Sequence, residues 1–446
     1  MLLNNREKFL SCLRSFERVE TRVIVRRTQV YGRVLQESLH PDLLRDGAEH
    51  KAFFDRLPAA SLPGLSTEQL LPSERRDLME QDVPFFATEP GSLSIWDSRG
   101  EQIRDFHGMS GMDAVRQRLQ ELSESDLNRQ LWIIRASLQS GTATAPSVPP
   151  ATLESKVHRT GESHWTLSRE EVIAAACDIG DHLERIAIRN GKEITWIGLF
   201  GEGEYRARLS PLGFDLYDGL SGIAVFLAHL GAMSGRNRYD SLARSTWNTI
   251  SRQVQQGEFM PIGGFNGWGG VIYALARLFT LWHDSRLLSQ VESICAKLPE
   301  RIRKDTHLDV IGGVAGCSLG LTALLNRYSS MQVTNTACQC AEHLLKMARN
   351  LERGIGWFNE SFNERALTGF AHGNAGIAYS LLRVFEHTRD DRFADAAHKA
   401  IEYERSLFSP DVGNWPDLRK QTSHRFMVAW CHGASGIALA RLCSLG

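Results

Sequence analysis

In the second half of the chain, apolar residues return at i+3 and i+4 behind a glycine step, and they do so five times. In YDGLSGIAVFLAHLG, from Tyr217, the residues Ile223, Phe226, Leu227 and Leu230 fall on one face and predict an amphipathic helix with a wide apolar stripe. The other copies are FNGWGGVIYALARL from Phe265, VIGGVAGCSLGLTALL from Val310, FAHGNAGIAYSLLRV from Phe370 and WCHGASGIALARL from Trp430. Their leading glycines, Gly219, Gly267, Gly313, Gly373 and Gly433, lie roughly 45 to 60 residues apart, the period expected of one helix pair per repeat. A residue without Cβ at a helix entrance permits tight turning and close approach of neighbouring chain. An open array exposes its ends, whereas a ring buries them and gathers loops from many repeats at one mouth. The pattern therefore predicts a ring of helical hairpins.

Upstream the periodicity changes. VETRVIVRRTQVYGRVLQESL alternates at Val23 and Val25, predicting a strand followed by a helical run. LHPDLLRDGAEHKAFFDRL predicts a helix hairpin, and SGMDAVRQRLQELSESDLNRQLWIIRASL predicts a helical pair with Ser125 capping its second member. The segment from Gly141 to Ser163 is rich in Thr, Ser, Pro and Ala and lacks apolar periodicity, which marks an interdomain linker. It divides the chain into residues 1–140, a linker at 141–163 and residues 164–446. After the linker, Ser168 and Glu171 form the capping-box signature of a further helix. EITWIGLFGEGEYRARLSPLG then alternates as two short strands around Gly201 and Gly203. GEGEYR is read as a hairpin turn, because it lacks the lysine-serine pair and long helix of a phosphate loop.

Composition narrows the class. The 446 residues are 42% hydrophobic and 23% charged, with 51 basic against 52 acidic side chains, which argues against a strong footprint for nucleic acid or anionic membrane. Charges interrupt every apolar stretch at the N-terminus, and no run of about 18 apolar residues occurs, so no membrane span and a cytoplasmic location are expected. Eight cysteines in a chain of this length make no disulfide scaffold, and reduced thiols follow. Cys12, Cys177, Cys295 and Cys317 stand among apolar residues and are expected to be buried and inert.

Candidate chemistry gathers at the repeat entrances. Cys431 and His432 offer soft sulfur and imidazole, both suited to zinc, although such a pair taken alone is more often structural. Asp309 leads the third copy and His372 stands within the fourth; either alone is more often a cap or a surface polar group. Three such residues at equivalent mouths of a ring make an active site a candidate reading beside these structural ones. Trp268 and Phe370 are read as packing residues.

DLYDGLSGIAVFLA, DVIGGVAG, GFAHGNAGIAYSLLR and AWCHGASGIALARL resemble, in order, the cyclase domain of class II lanthipeptide synthetases, the LanM type. ETRVIVRRTQVYGRVLQESLHPDLLRDG, DVPFFAT and SGMDAVRQRLQELSESDLNRQLWIIRASL resemble the closing section of the kinase-like dehydratase domain of the same enzymes. The resemblance implies a mainly α protein, an α/α toroid of seven helical hairpins, about five of them present, preceded by a mostly helical dehydratase fragment. It implies an enzyme that phosphorylates serine and threonine of a ribosomally made precursor peptide, eliminates phosphate, and adds cysteine thiols to the resulting alkenes. The products are lanthionine thioethers.

The resemblance also implies residue roles. Asp309 and His372 match active-site residues of the cyclase, Cys431 its first zinc ligand, and Arg22 and Thr28 the arginine and threonine that assist phosphate elimination. His432 occupies a neighbouring position where the family varies. Zn2+ is expected at the cyclase, and ATP with Mg2+ only for a full-length dehydratase. The ATP-binding part and a later CHG segment with the remaining zinc ligands are not in this sequence, so it reads as an internal fragment or split-gene product, with partner polypeptides supplying the ends. Two rivals are a catalytically inactive scaffold that binds peptide, and a carbohydrate enzyme using Asp215 and Asp218, which could equally cap a helix.

Overall fold

The computed structural model describes residues 5–57, 67–142, 168–202, 206–256, 261–358, 365–419 and 426–444. The chain divides into two compact units, Met1–Arg135 and Ala136–Gly446. The expected linker is outside the described residues from position 143 onward, and Gly141 and Thr142 end a helix.

In the first unit, α1 (Arg6–Leu13), β1 (Thr21–Val23), α2 (Thr28–Ser38), α3 (Pro41–Leu44), α4 (Gly47–Asp55) and α5 (Leu71–Met79) precede β2 (Phe86–Thr88), β3 (Ile95–Asp97) and β4 (Gln102–Ile103). Two helices follow, α6 (Gly111–Glu121) and α7 (Glu124–Thr142). The strands form one antiparallel sheet in the order β1-β2-β3-β4, with Arg22 opposite Ala87. The strand expected at Val23 and Val25 forms as β1 but ends at Val23; Val25, just beyond it, is buried with Leu70, Phe86, Ile95 and Phe106, and Val23 packs against that cluster. Two expectations need correction. The hydroxyl of Ser123 accepts the Asp126 N–H before α7, and Ser125 is inside the helix. Cys12, on a helix that buries none of its residues, is exposed.

The second unit begins within the last turns of α7, and its next helix is α8 (Arg169–Ile186), whose capping box is formed: Ser168 Oγ accepts the Glu171 N–H, and Glu171 Oε2 accepts the Ser168 N–H at 2.7 Å. The alternating segment yields three strands rather than two: β6 (Glu193–Thr195), which pairs with the preceding β5 (Ile188–Asn190), and β7 (Ile197–Glu202), which pairs with β8 (Arg206–Pro211); positions 203–205 of the expected GEGEYR turn lie outside the described residues. The repeats are helix pairs: α9 (Leu220–Ser234) with α10 (Asn237–Gln256), and α11 (Trp268–Trp282) with α12 (Ser285–Cys295). After the short α13 (Pro299–Lys304) come α14 (Val314–Leu325) with α15 (Met331–Met347), then α16 (Asn374–Thr388) with α17 (Asp391–Ser406), and finally α18 (Ala434–Cys443). The leading helices α9, α11, α14, α16 and α18 each pack on the next. α14 is buried on nearly every side, whereas α17 buries one stripe, Phe393, Ala396, Ala397, Ala400 and Glu404. That contrast separates an inner layer of helices from an outer one.

The second glycine of each step has one purpose. A Cβ added at Gly222, Gly270, Gly316, Gly376 or Gly436 would stand 1.9 to 2.7 Å from the carbonyl oxygen of Leu216, Gly264, Val310, Phe370 or Trp430 respectively. In every copy that carbonyl belongs to the loop leading into the same helix. The first four leading glycines have ordinary extended φ, so space rather than dihedral freedom selects them; Gly433, at φ +86°, needs both. Trp268 is a packing residue as expected, buried with its ring 5.9 Å from that of Phe214.

Candidate active site

Because each glycine step lets the loop fold tightly over its helix, the five loops can bond to one another edge to edge. Leu216 N–H donates to Phe265 O at 2.9 Å, Gly264 N–H to Val310 O at 3.0 Å, Val310 N–H to Ala371 O at 3.1 Å, and Ala371 N–H to Cys431 O at 3.3 Å. This belt runs through all five repeats in order. It curves back on itself, since the Phe265 and Trp430 rings of the second and fifth copies are 5.4 Å apart.

On the belt, Asp309 Oδ1 accepts the Gly312 N–H at 2.7 Å, and its Oδ2 is 2.7 Å from His372 Nδ1. The carboxylate is buried and the imidazole is 40% exposed, so the pair combines a fixed partner with an accessible ring. The ring of His432 stacks on that of His372 with centroids 5.7 Å apart and planes at 26°. His432 is buried, and burial, with Arg419 and His372 nearby, pushes its pKa down to about 4. Cys431 is half-buried and unbridged. Arg419 grips Asp417 through Nε and Nη2, at 3.0 and 2.6 Å, within electrostatic reach of Cys431 and His432. Burial alone would raise the Asp417 carboxyl, but the Arg419 contacts hold it below its usual range.

Asp309, His372 and Cys431, separated widely in sequence, are thus brought to one neighbourhood. Asp215 and Asp218 are not set across the mouth from each other: both belong to one turn, in which Asp215 Oδ1 accepts the N–H of Tyr217 and of Asp218. Paired carboxylates of a glycosidase kind must flank a bond from two sides, which this turn does not do; nor does either aspartate cap α9, whose N-cap is Gly219 with no side-chain hydrogen bond. Among the described residues no group of three or more His, Cys, Asp or Glu side chains is placed to hold a metal ion. Tight zinc sites need about three protein ligands, and the described donors around Cys431 do not reach that number.

In the first unit, Arg22 lies mid-strand on β1 with its guanidinium 5.7 Å from the centroid of the Phe85 ring, and Thr28 is the first residue of α2; both are exposed. The connection between them is anchored by Arg26, which holds the fully buried Glu74 through Nε at 2.7 Å and Nη2 at 3.0 Å. Tyr31 adds its hydroxyl to the same carboxylate at 2.5 Å, and burial and Glu74 push the Tyr31 pKa far up. Neither Arg26 nor Glu74 was singled out in sequence, because no motif or spacing distinguishes a buried ion pair from surface charge.

The lanthionine synthetase C-like protein family model matches residues 210–445, more than half of the chain. The chain belongs to that family. Residues 1–89 match a second model, a domain of unknown function designated DUF4135. Over 99% of its length the chain is 23% identical to the lacticin 481/lactococcin biosynthesis protein LcnDR2 of Lactococcus lactis subsp. lactis, covering 45% of that protein. It is 29% identical over 42% of its length to a probable SapB synthase of Streptomyces coelicolor, covering 18% of that protein. The chain therefore spans less than half the length of these curated relatives. Among solved structures, nisin cyclase aligns with a TM-score of 0.43 at 18% identity, over 62% of this chain and 69% of that one. A cellobiose 2-epimerase from Bacillus thermoamylovorans aligns with a TM-score of 0.35 at 11% identity, over 50% and 69%. No helix among the described residues is long and apolar enough to cross a membrane.

Proposed function

We propose that this chain takes part in making lanthionine thioethers in a ribosomally made precursor peptide in the cytoplasm. Residues 164–446 provide the cyclase part and residues 1–140 the closing section of the dehydratase. The observation that carries this reading is the Asp309–His372 hydrogen bond at 2.7 Å beside the Cys431 loop.

The chemistry needs a proton carrier. A peptide thiolate attacks the β-carbon of a dehydrated residue, a C–S bond forms, the C=C electrons move to the adjoining carbonyl as an enolate, and a proton must reach the α-carbon. Asp309 fixes the ring of His372 through Nδ1, which leaves Nε2 to exchange that proton. Arg22 and Thr28 suit phosphate departure, an arginine by paired hydrogen bonds and a hydroxyl by one more. The family association implies zinc at Cys431, where it would favour a thiolate at neutral pH, although the described donors fall short of a full set.

A predehydrated precursor peptide tests the reading. Incubation with the chain and zinc should remove alkylatable thiol slowly, as followed by mass spectrometry, and more slowly still with His372→Ala. Wild-type chain no faster than buffer would favour the inactive peptide-binding scaffold.

A further inference from the structure

Glu404, on α17, is fully buried and has no part in the chemistry outlined above. Its Oε1 accepts the Gly369 N–H at 3.0 Å, and its Oε2 accepts from Arg441 Nη2 at 2.8 Å. One side chain thus joins α17, the loop leading to His372, and α18, which follows His432. A buried carboxylate is costly unless its oxygens are bonded, so its presence on a face otherwise made of Phe393, Ala396, Ala397 and Ala400 calls for a reason.

Gly369 supplies one. It lies in the left-handed region at φ +103°, and a Cβ there would stand 2.6 Å from Cys431 O and 3.0 Å from His432 Cα. The N–H that Glu404 holds therefore belongs to the residue against which the Cys431 loop rests. Two residues on, Ala371 bonds to both Val310 and Cys431, and His372 comes next. Thr368 is also tied, its hydroxyl donating to Pro416 O at 2.9 Å.

We propose that Glu404 is a positioning residue, which fixes the turn from Gly369 to His372 against the Cys431 loop and thereby sets the Asp309–His372 bond. The inference rests on the reading of Asp309 and His372 as the proton-handling pair. Burial pushes the Glu404 carboxyl up to about 7, against the pull of the Gly369 N–H and of Arg441. The charged and titratable neighbours are Arg441 from α18, Arg405 acting on Arg441, and Tyr403. Both a carboxylate and a carboxylic acid present an oxygen to Gly369, so positioning does not depend on the charge.

Two double variants separate the hydrogen bond from the ion pair. Glu404→Gln with Arg441→Met removes both charges and keeps an acceptor for Gly369; Glu404→Leu with Arg441→Met removes the acceptor as well. The readout is the imidazole 15N spectrum of the full chain labelled at histidine, with the His372 signal assigned by its loss in His372→Ala. The Gln/Met chain should keep the wild-type His372 signal, and the Leu/Met chain should shift it while the His182 signal on α8 stays in place. An unmoved His372 signal in a folded Leu/Met chain overturns the proposal. Should that variant not fold, hydrogen exchange of the Gly369 amide in the wild-type chain decides: protection supports the pinned turn, and free exchange overturns it. Failure of the catalytic reading would instead appear as unchanged cyclisation by His372→Ala, with the spectra unaffected.

Discussion

Asp309 and His372 are 63 positions apart and meet through one oxygen and one nitrogen. The other oxygen of Asp309 is already taken by Gly312, so the carboxylate cannot turn away. Asp309→Asn retains the shape but loses the charge that orients the ring, and His372→Ala loses the ring itself. Each should slow thioether formation on a predehydrated peptide by roughly 100-fold, read as residual alkylatable thiol; equal rates would remove the pair from the mechanism. Glycines divide by their surroundings. A Cβ at Gly376 would stand 1.9 Å from Phe370 O, so Gly376→Ala should lower stability in urea by about 2 kcal/mol. Gly32, in the exposed part of α2, has nothing within 4 Å, and Gly32→Ala should raise it by about 0.5 to 1 kcal/mol. A reversed order of the two would contradict the close-approach account.

Helices declare themselves where their residues interact locally. The capping box at Ser168 and Glu171 and the apolar stripes behind each glycine were legible because the partners are three or four positions apart. Ser123 rather than Ser125 caps α7: both precede acidic residues, and only the actual turn decides which hydroxyl meets a free N–H. Glu404 was invisible: in IEYERS it reads as one more charge on an outer helix, and its partners Gly369 and Arg441 lie 35 and 37 positions away. Its consequence is a pH dependence. The folded protein holds the Glu404 proton more tightly than the unfolded chain, with a pKa of about 7 against 4.5. This stabilising contribution is complete below 4.5 and is lost as pH rises through 7, amounting to about 3 kcal/mol. Glu404→Gln has no such proton, so its stability relative to wild type should rise between about pH 5 and pH 8. Urea melts at both ends test it, and a constant gap would show that Glu404 titrates normally.

Across the whole molecule, the zinc expectation meets its sharpest test. With no cluster of three donors among the described residues, purified chain should hold less than one tightly bound zinc. Stoichiometric zinc, abolished by Cys431→Ala, would mean that further ligands gather around Cys431. The sequence by itself determined the helical repeat, the family and the identity of Asp309, His372 and Cys431 as candidates, because glycine steps and i+3/i+4 apolar spacing are local codes read within one repeat. Only the tertiary structure decided that Asp309 bonds to His372, that His432 stacks on it rather than facing solvent, and that Asp215 and Asp218 share a turn instead of flanking a substrate. Those outcomes depend on the belt of backbone bonds from Leu216 to Cys431, which joins loops from different repeats. Hydrogen bonds between loops dozens of residues apart exist only after the helices have packed, and no local pattern of residues encodes them.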